Sequence, residues 1–132
     1  MKSTELVAYW VETSDDDYET MIALYEKKRF PWCLFVGHIV VEKLLKGLYA
    51  RRNAKDPYAP KSHDLLALAN RCGLEIDQAT QDKFDTITDF NMTARYDDYK
   101  KTFYATCTKE FTDTQIATIK ELRIWLKKLI AE

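Results

Sequence analysis

Hydrophobic and polar residues recur with helical spacing along most of the chain, and the clearest case is the stretch from Pro31 to Arg52. At about 100° per residue, apolar side chains occupy well over half of the circumference of this stretch. It is therefore predicted to be a central helix with neighbours on more than one side. Pro31 suits the first turn of such a helix, where no backbone donor is needed. In its middle, charge is confined to a narrow strip formed by Glu42, Lys43 and Lys46.

The same spacing predicts three more long helices and one short helix. Their expected bounds are Ser3 or Thr4 to Lys28, His63 to Arg71, Gln78 to Ala94, and Thr112 to Ile130. Ser3 or Thr4 is expected to cap the first segment, and Ser62 and Asp77 precede two others as N-caps. Thr112 with Gln115 forms a capping box that opens the last one. Because a short link joins antiparallel neighbours, the first two long helices should form a hairpin. The predicted fold class is all-α, a single domain over residues 1–132 folded as an antiparallel up-and-down four-helix bundle with one extra short helix.

Two stretches interrupt this pattern. Ser14 to Asp17 breaks the apolar stripe of the first helix. This stretch either gives one long helix a solvated acidic face or lets Ser14 cap a second, short helix. Arg95 to Phe111 is the least regular part of the chain and concentrates aromatic residues among charges. No helix is predicted there.

Composition limits the class of protein. The chain has 20 basic and 21 acidic residues and a formal net charge of −1, so no global field attracts nucleic acid or a membrane. Its three cysteines, Cys33, Cys72 and Cys107, lie far apart in the sequence and are expected to be reduced and buried. The uncharged run from Phe30 to Val41 is too short to span a bilayer. A cytoplasmic protein without membrane contact is predicted.

Motifs specific for catalysis or for a cofactor are absent from the sequence. The three glycines do not form a phosphate-binding loop, and the two histidines are too far apart for a helical zinc motif. Asp15, Asp16 and Asp17 follow one another on a helix, where successive side chains point about 100° apart and do not converge on a metal ion. No metal and no cofactor is expected. His38, four residues before Glu42, is either a core histidine or part of a polar pocket.

Several short motifs, in the right order, make nearly the whole chain resemble the HEPN family (higher eukaryotes and prokaryotes nucleotide-binding). The segment from Val41 to Gly47, VEKLLKG, resembles the family's A/V-E-K-x-L-K-A/G pattern. Ser62 to Leu65, SHDL, is similar to its T/S-H-D/N-L element. Ala94 to Asp98, ARYDD, is similar to its A-R-Y-P-D element, with Asp97 where proline is usual.

The resemblance implies a helical bundle that usually forms a homodimer. Such a bundle is often encoded beside a minimal nucleotidyltransferase, as its substrate-binding or toxin partner in a two-gene, toxin–antitoxin-like system. Some HEPN proteins are instead metal-independent ribonucleases, which use an arginine and a histidine four to six residues apart. Here Lys100, Lys101 and Thr102 hold the histidine positions after Arg95. Since none of them supplies an imidazole for general acid–base chemistry, ribonuclease activity is the alternative interpretation and a binding role is favoured.

The predicted site is a groove in the dimer that holds a nucleotide, RNA or a small anionic ligand. It is lined by the charged strip of the central helix, two histidines and the turn at Arg95, namely Glu42, Lys43, Lys46, His38, His63, Arg95, Tyr96 and Asp98. Arg95 would hold phosphate through its planar guanidinium, and Tyr96 or Tyr99 would stack on a base. In a second hypothesis, Tyr99 or Tyr104 carries the hydroxyl that a nucleotidyltransferase modifies. The groove requires the turn at Arg95 to lie over the polar edge of the Pro31–Arg52 helix.

Overall fold

The computed structural model describes the backbone of residues 2–93 and 97–132, and the side chains of residues 2–91 and 100–132. Within these ranges the chain forms six helices and no strand. The helices are α1 (Ser3–Glu26), α2 (Phe30–Arg52), α3 (Leu65–Arg71), α4 (Gln78–Thr93), α5 (Asp97–Thr106) and α6 (Lys109–Ala131). The all-helical prediction is confirmed.

Helix α2 is the centre of the structure and packs against each of the other five helices. Its apolar arc is buried because neighbours cover it from several directions, as the width of the arc predicts. The fully buried residues of α2 include Leu34, Val41, Leu44, Leu45 and Leu48. None of the described helices is long and apolar enough to cross a membrane.

Helices α1 and α2 form the predicted antiparallel hairpin. The hydroxyl of Ser3 donates to the carbonyl oxygen of Ala50 at 2.8 Å, and the hydroxyl of Ser14 donates to that of Val40 at 2.9 Å. Ser14 is completely buried, so it ties α1 to α2 and does not cap a second helix. Of the two possibilities left open by the sequence, α1 is therefore one continuous helix. The suggestion that Ser3 caps α1 is wrong, because its hydroxyl is used by Ala50.

Two glycines of α2 allow α1 and α6 to approach it closely. A Cβ atom added at Gly37 would lie 2.6 Å from Cδ1 of Ile119 on α6 and 3.1 Å from the sulfur of Met21 on α1. At Gly47 the nearest atoms would be Cβ of Trp10 at 3.2 Å and Cδ1 of Ile130 at 3.6 Å. Contact at Gly37 is the tighter of the two.

The acidic run of α1 is divided between two neighbouring helices. Asp15 accepts hydrogen bonds from Arg123 at 3.0 Å and Lys127 at 2.8 Å on α6. Asp17 forms an ion pair of 2.6 Å with Lys43 on α2. The expected solvated face is thus largely used in helix packing. Burial raises the pKa of the Asp15 carboxyl, but the hydrogen bonds from Lys127 and Arg123 outweigh it and the net pKa is lowered.

The greatest difference from the predicted helices lies between α4 and α6. Helix α5 was not predicted, and it forms because Phe103 is buried and packs its ring against Phe90 at a centroid distance of 5.6 Å. Helix α6 begins at Lys109, where the Thr108 hydroxyl accepts a hydrogen bond from the Phe111 amide at 3.1 Å. The predicted capping box at Thr112 is wrong because Thr112 is fully buried within the helix.

The predicted N-cap of α3 is wrong, and the predicted N-cap of α4 is correct. Asp64, not Ser62, caps α3, since its carboxylate accepts from the Ala67 amide at 3.1 Å. Asp77 caps α4 as predicted and accepts from the Thr80 amide at 2.8 Å.

The three cysteines are free, buried thiols, as predicted. Burial raises the pKa of Cys33 and of Cys72 to about 11. Burial, with a smaller contribution from Cys33, raises the pKa of Cys107 to about 12. Nucleophilic roles for these thiols are disfavoured, because the reactive thiolate is scarce at neutral pH.

Candidate functional site

Glu42 lies at the centre of a polar cluster on the surface of α2. Its carboxylate is nearly buried, with 7% of the residue exposed. Lys46 follows one helical turn later, so its ammonium reaches Oε2 of Glu42 at 3.1 Å. Only 13% of the Lys46 side chain is exposed, and its ammonium lies 5.5 Å from the centre of the Trp10 ring on α1. The cation is therefore held between a carboxylate and an aromatic face.

His63 joins the cluster from the segment that precedes α3. Its Nδ1 lies 2.7 Å from Oε1 of Glu42. An ionised carboxylate only accepts hydrogen bonds, so Nδ1 of His63 carries the hydrogen and donates a hydrogen bond to Glu42. The imidazole remains 56% exposed while the carboxylate below it is 9% exposed. The cluster thus presents His63 outward and keeps Glu42 and most of Lys46 inside.

His38 supports the cluster from within the core. It is completely buried, and its Nε2 lies 2.9 Å from the backbone carbonyl oxygen of His63. Because a carbonyl oxygen accepts, Nε2 of His38 is the donor. The same nitrogen is 3.9 Å from Oε1 of Glu42. Of the two interpretations left open by the sequence, His38 is therefore the core histidine, and its hydrogen bond fixes the backbone of His63.

The backbone on the other side of His63 is also fixed. The Asp64 amide donates to the Ser62 hydroxyl at 3.1 Å, and the Asp64 side chain caps α3. The next amide, that of Leu65, donates to the Thr88 hydroxyl on α4 at 3.0 Å. Three helices thus hold the position of His63. Nothing in the local sequence connects Thr88 with the SHDL segment, so this contact is not predictable from the sequence.

The structure places the remaining predicted site residues differently. Lys43 faces α1 and pairs with Asp17, so it does not belong to the Glu42 cluster. Arg95 and Tyr96 lie outside the described residues. Their predicted position over the edge of α2 therefore stays a prediction. The same applies to the side chains of Asp98 and Tyr99, whose backbone belongs to α5.

A second group of residues surrounds Lys100, one of the positions where the ribonuclease pattern requires histidine. The Lys100 ammonium is 5.7 Å from the ring centre of Trp32 and 5.5 Å from that of Tyr104. Both aromatic residues are partly exposed, Trp32 by 43% and Tyr104 by 40%. Sequence analysis missed Trp32, for which only its position beside Pro31 gave a signal.

Comparison with known families fits this arrangement of motifs. The sequence matches the model of the HEPN domain over residues 7–129, which is nearly the whole chain. The chain belongs to the HEPN family. No curated protein and no solved structure matches this HEPN domain. Two of the motifs that resemble the family, VEKLLKG and SHDL, each contribute one residue to the Glu42–His63 contact.

Proposed function

We propose that this HEPN domain is a binding module for a nucleotide or a small anionic ligand. The main support for this proposal is the Glu42 cluster, in which one buried carboxylate orients two nitrogen donors, the exposed His63 and the largely enclosed Lys46. Both oxygens of Glu42 already accept hydrogen bonds from these two donors. His63 and Lys46 would contact phosphate, while Arg95 would add a bidentate contact from the segment before α5.

We further propose that the four long helices form the up-and-down bundle and that two copies pair so that the clusters share a groove. Opposite directions of α4 and α6 support the bundle, since Phe84 contacts Trp125 while Phe90 contacts Phe111. The partly exposed Trp32, on the same helix as Lys46, supplies apolar area for such pairing. A minimal nucleotidyltransferase encoded nearby would be the partner protein. This partnership is suggested by the family resemblance alone.

Substitution of the proposed phosphate contacts is expected to weaken nucleotide binding. Calorimetry with AMP, ADP, ATP and GTP should give measurable affinity for the wild type. Lys46→Ala and Arg95→Ala should each lower that affinity by about 10-fold or more, because each removes a charge-assisted hydrogen bond worth roughly 1.5–3 kcal/mol.

A matched control is Lys128→Ala, which removes the same charge from an exposed position at the end of α6. This variant should bind nucleotides like the wild type. Equal affinity of the Lys46 and Lys128 variants would remove the cluster from the binding site. Absence of any heat with all four nucleotides would refute the proposal.

The exposed Tyr104 supports a second candidate function, in which a nucleotidyltransferase modifies this HEPN domain. Its ring is 40% exposed and lies beside the Lys100 ammonium, which would attract a nucleotide phosphate. Mass spectrometry after co-expression with such an enzyme should reveal an adduct of one nucleotide. The adduct should be lost in Tyr104→Phe or, if Tyr99 is the acceptor, in Tyr99→Phe. An adduct that persists when both tyrosines are replaced would place the acceptor elsewhere.

Ribonuclease activity is less well supported by the described residues. Lys100, at a position that the ribonuclease pattern gives to histidine, packs between two aromatic rings as a cation. An ammonium in this setting stabilises charge and supplies no imidazole.

A further inference from the structure

We infer that His63 is a general base and that the Glu42 cluster hydrolyses cyclic phosphodiesters of ribonucleotides. This inference rests on the proposed nucleotide binding and adds a chemical step to it. The residues have separate roles. His63 would contact the reacting water, Lys46 the leaving oxygen, and Glu42 and His38 would be positioning residues.

The hydrogen bonds of His63 leave its second ring nitrogen suited to accept a proton. Nδ1 of His63 lies 2.7 Å from Oε1 of Glu42 and donates a hydrogen bond to it. In the neutral ring, Nε2 therefore carries the lone pair. No described residue is hydrogen-bonded to Nε2, and more than half of the side chain is exposed. An imidazole oriented by a carboxylate is the arrangement that general bases use in unrelated enzymes.

Hydrogen bonds fix the backbone of His63 and of the two residues that follow it. Buried His38 holds its carbonyl oxygen, and the amides of the next two residues are held by Ser62 and Thr88. Both ends of the residue and one ring nitrogen are thus fixed. Such preorganisation lowers the cost of reaching a productive geometry.

Lys46 supplies the second group that the reaction needs. Its ammonium binds the other oxygen of Glu42, so the same carboxylate orients both groups. Nε2 of His63 would accept a proton from water while the water oxygen forms a bond to phosphorus. The phosphorus–oxygen bond to one ribose oxygen breaks, and that oxygen takes a proton from Lys46. Lys46 then regains a proton from solvent and His63 releases one, so the product is a nucleoside monophosphate.

The strained five-membered ring makes 2′,3′-cyclic nucleotides the appropriate substrate class, because ring opening needs only proton transfer and charge stabilisation. The probe is therefore 2′,3′-cyclic AMP, with product formation followed by phosphorus NMR. Wild-type protein should produce 2′- or 3′-AMP. His63→Asn should lower kcat/KM by about 100-fold or more, the usual contribution of a general base. The asparagine amide still donates to Glu42, so this variant retains the structural contact and loses only the proton acceptor.

Nitrogen NMR of the histidine rings gives a readout that does not depend on turnover. Neutral His63 should be the Nδ1–H tautomer in the wild type, and Glu42→Gln should weaken this preference and lower kcat/KM by about 10-fold. Lys61→Gln, in the same loop and exposed, is the control and should hydrolyse the probe like the wild type.

The outcomes separate this inference from the proposed binding function. Binding of AMP without hydrolysis of the cyclic probe would overturn the inference and leave the binding function in place. Hydrolysis that survives in His63→Asn, or a wild-type His63 in the Nε2–H tautomer, would also overturn it. Absence of AMP binding would contradict the binding function first.

Discussion

Replacing Glu42 with alanine is expected to lower the free energy of unfolding by about 3 kcal/mol, because it breaks a nearly buried ion pair and leaves its partners unmatched. The Lys46 side chain is only 13% exposed, so its ammonium cannot be fully rehydrated without moving away from Trp10. Nδ1 of His63 loses its acceptor as well. Urea unfolding followed by circular dichroism measures the change, with Glu42→Gln expected to fall between alanine and wild type.

The Lys109–Asp113 pair provides a matched control for this prediction. It has the same spacing of four residues and a similar distance of 2.8 Å, but its side chains are 68% and 41% exposed. Lys109→Ala should leave the urea midpoint almost unchanged, since solvent screens exposed pairs. If the Glu42 and Lys109 variants have the same midpoint, burial does not strengthen the Glu42 cluster.

Replacing Gly37 with leucine is expected to lower the free energy of unfolding by about 3 kcal/mol or more, in spite of the better helix propensity of leucine. Even the first added carbon would lie 2.6 Å from Ile119 and 3.1 Å from Met21. Both neighbours are completely buried, so the four carbons of a leucine side chain would have to displace packed core atoms. Thermal and urea unfolding should both show the loss.

A leucine substitution at an exposed helical position serves as a control that separates the effect of core packing from that of helix propensity. Ala79→Leu, on the exposed side of α4, should change the free energy of unfolding by no more than about 0.5 kcal/mol. Gly37→Ala should lie between these cases, since the terminal methyl group of Ile119 can shift by part of an ångström. A Gly37→Leu protein as stable as the wild type would mean that α6 is not held closely against α2.

The two sets of variants also connect stability with function. Glu42 stabilises the attachment of the SHDL segment to α2, and the same hydrogen bond orients the imidazole of His63. Loss of binding in Glu42→Ala alone would therefore not identify a ligand contact. Lys46→Ala and His63→Asn are the more informative variants for function, because the first leaves the Glu42–His63 contact in place and the second keeps a donor to Glu42.

Local sequence patterns determined much of the helical structure. Periodicity placed α2 within one residue of its observed start, and the wide apolar arc predicted its central position. A spacing of four residues was sufficient to predict that Lys46 and His38 lie on the same face as Glu42. These features depend on the geometry of a single helix, which is why the sequence predicts them.

Tertiary structure alone decided the features that join distant segments. The sequence places Glu42 and His63 in one candidate site, but their hydrogen bond across 21 positions depends on how the loop returns to α2. Likewise, Lys43 belongs by sequence to the charged strip of α2, yet its side chain forms an ion pair with Asp17 on α1. Thr112 looks like a cap, but packing buries it and shifts the start of α6 to Lys109. Helix periodicity is a property of neighbouring residues, whereas burial and pairing depend on which surfaces meet, and only the folded chain fixes that choice.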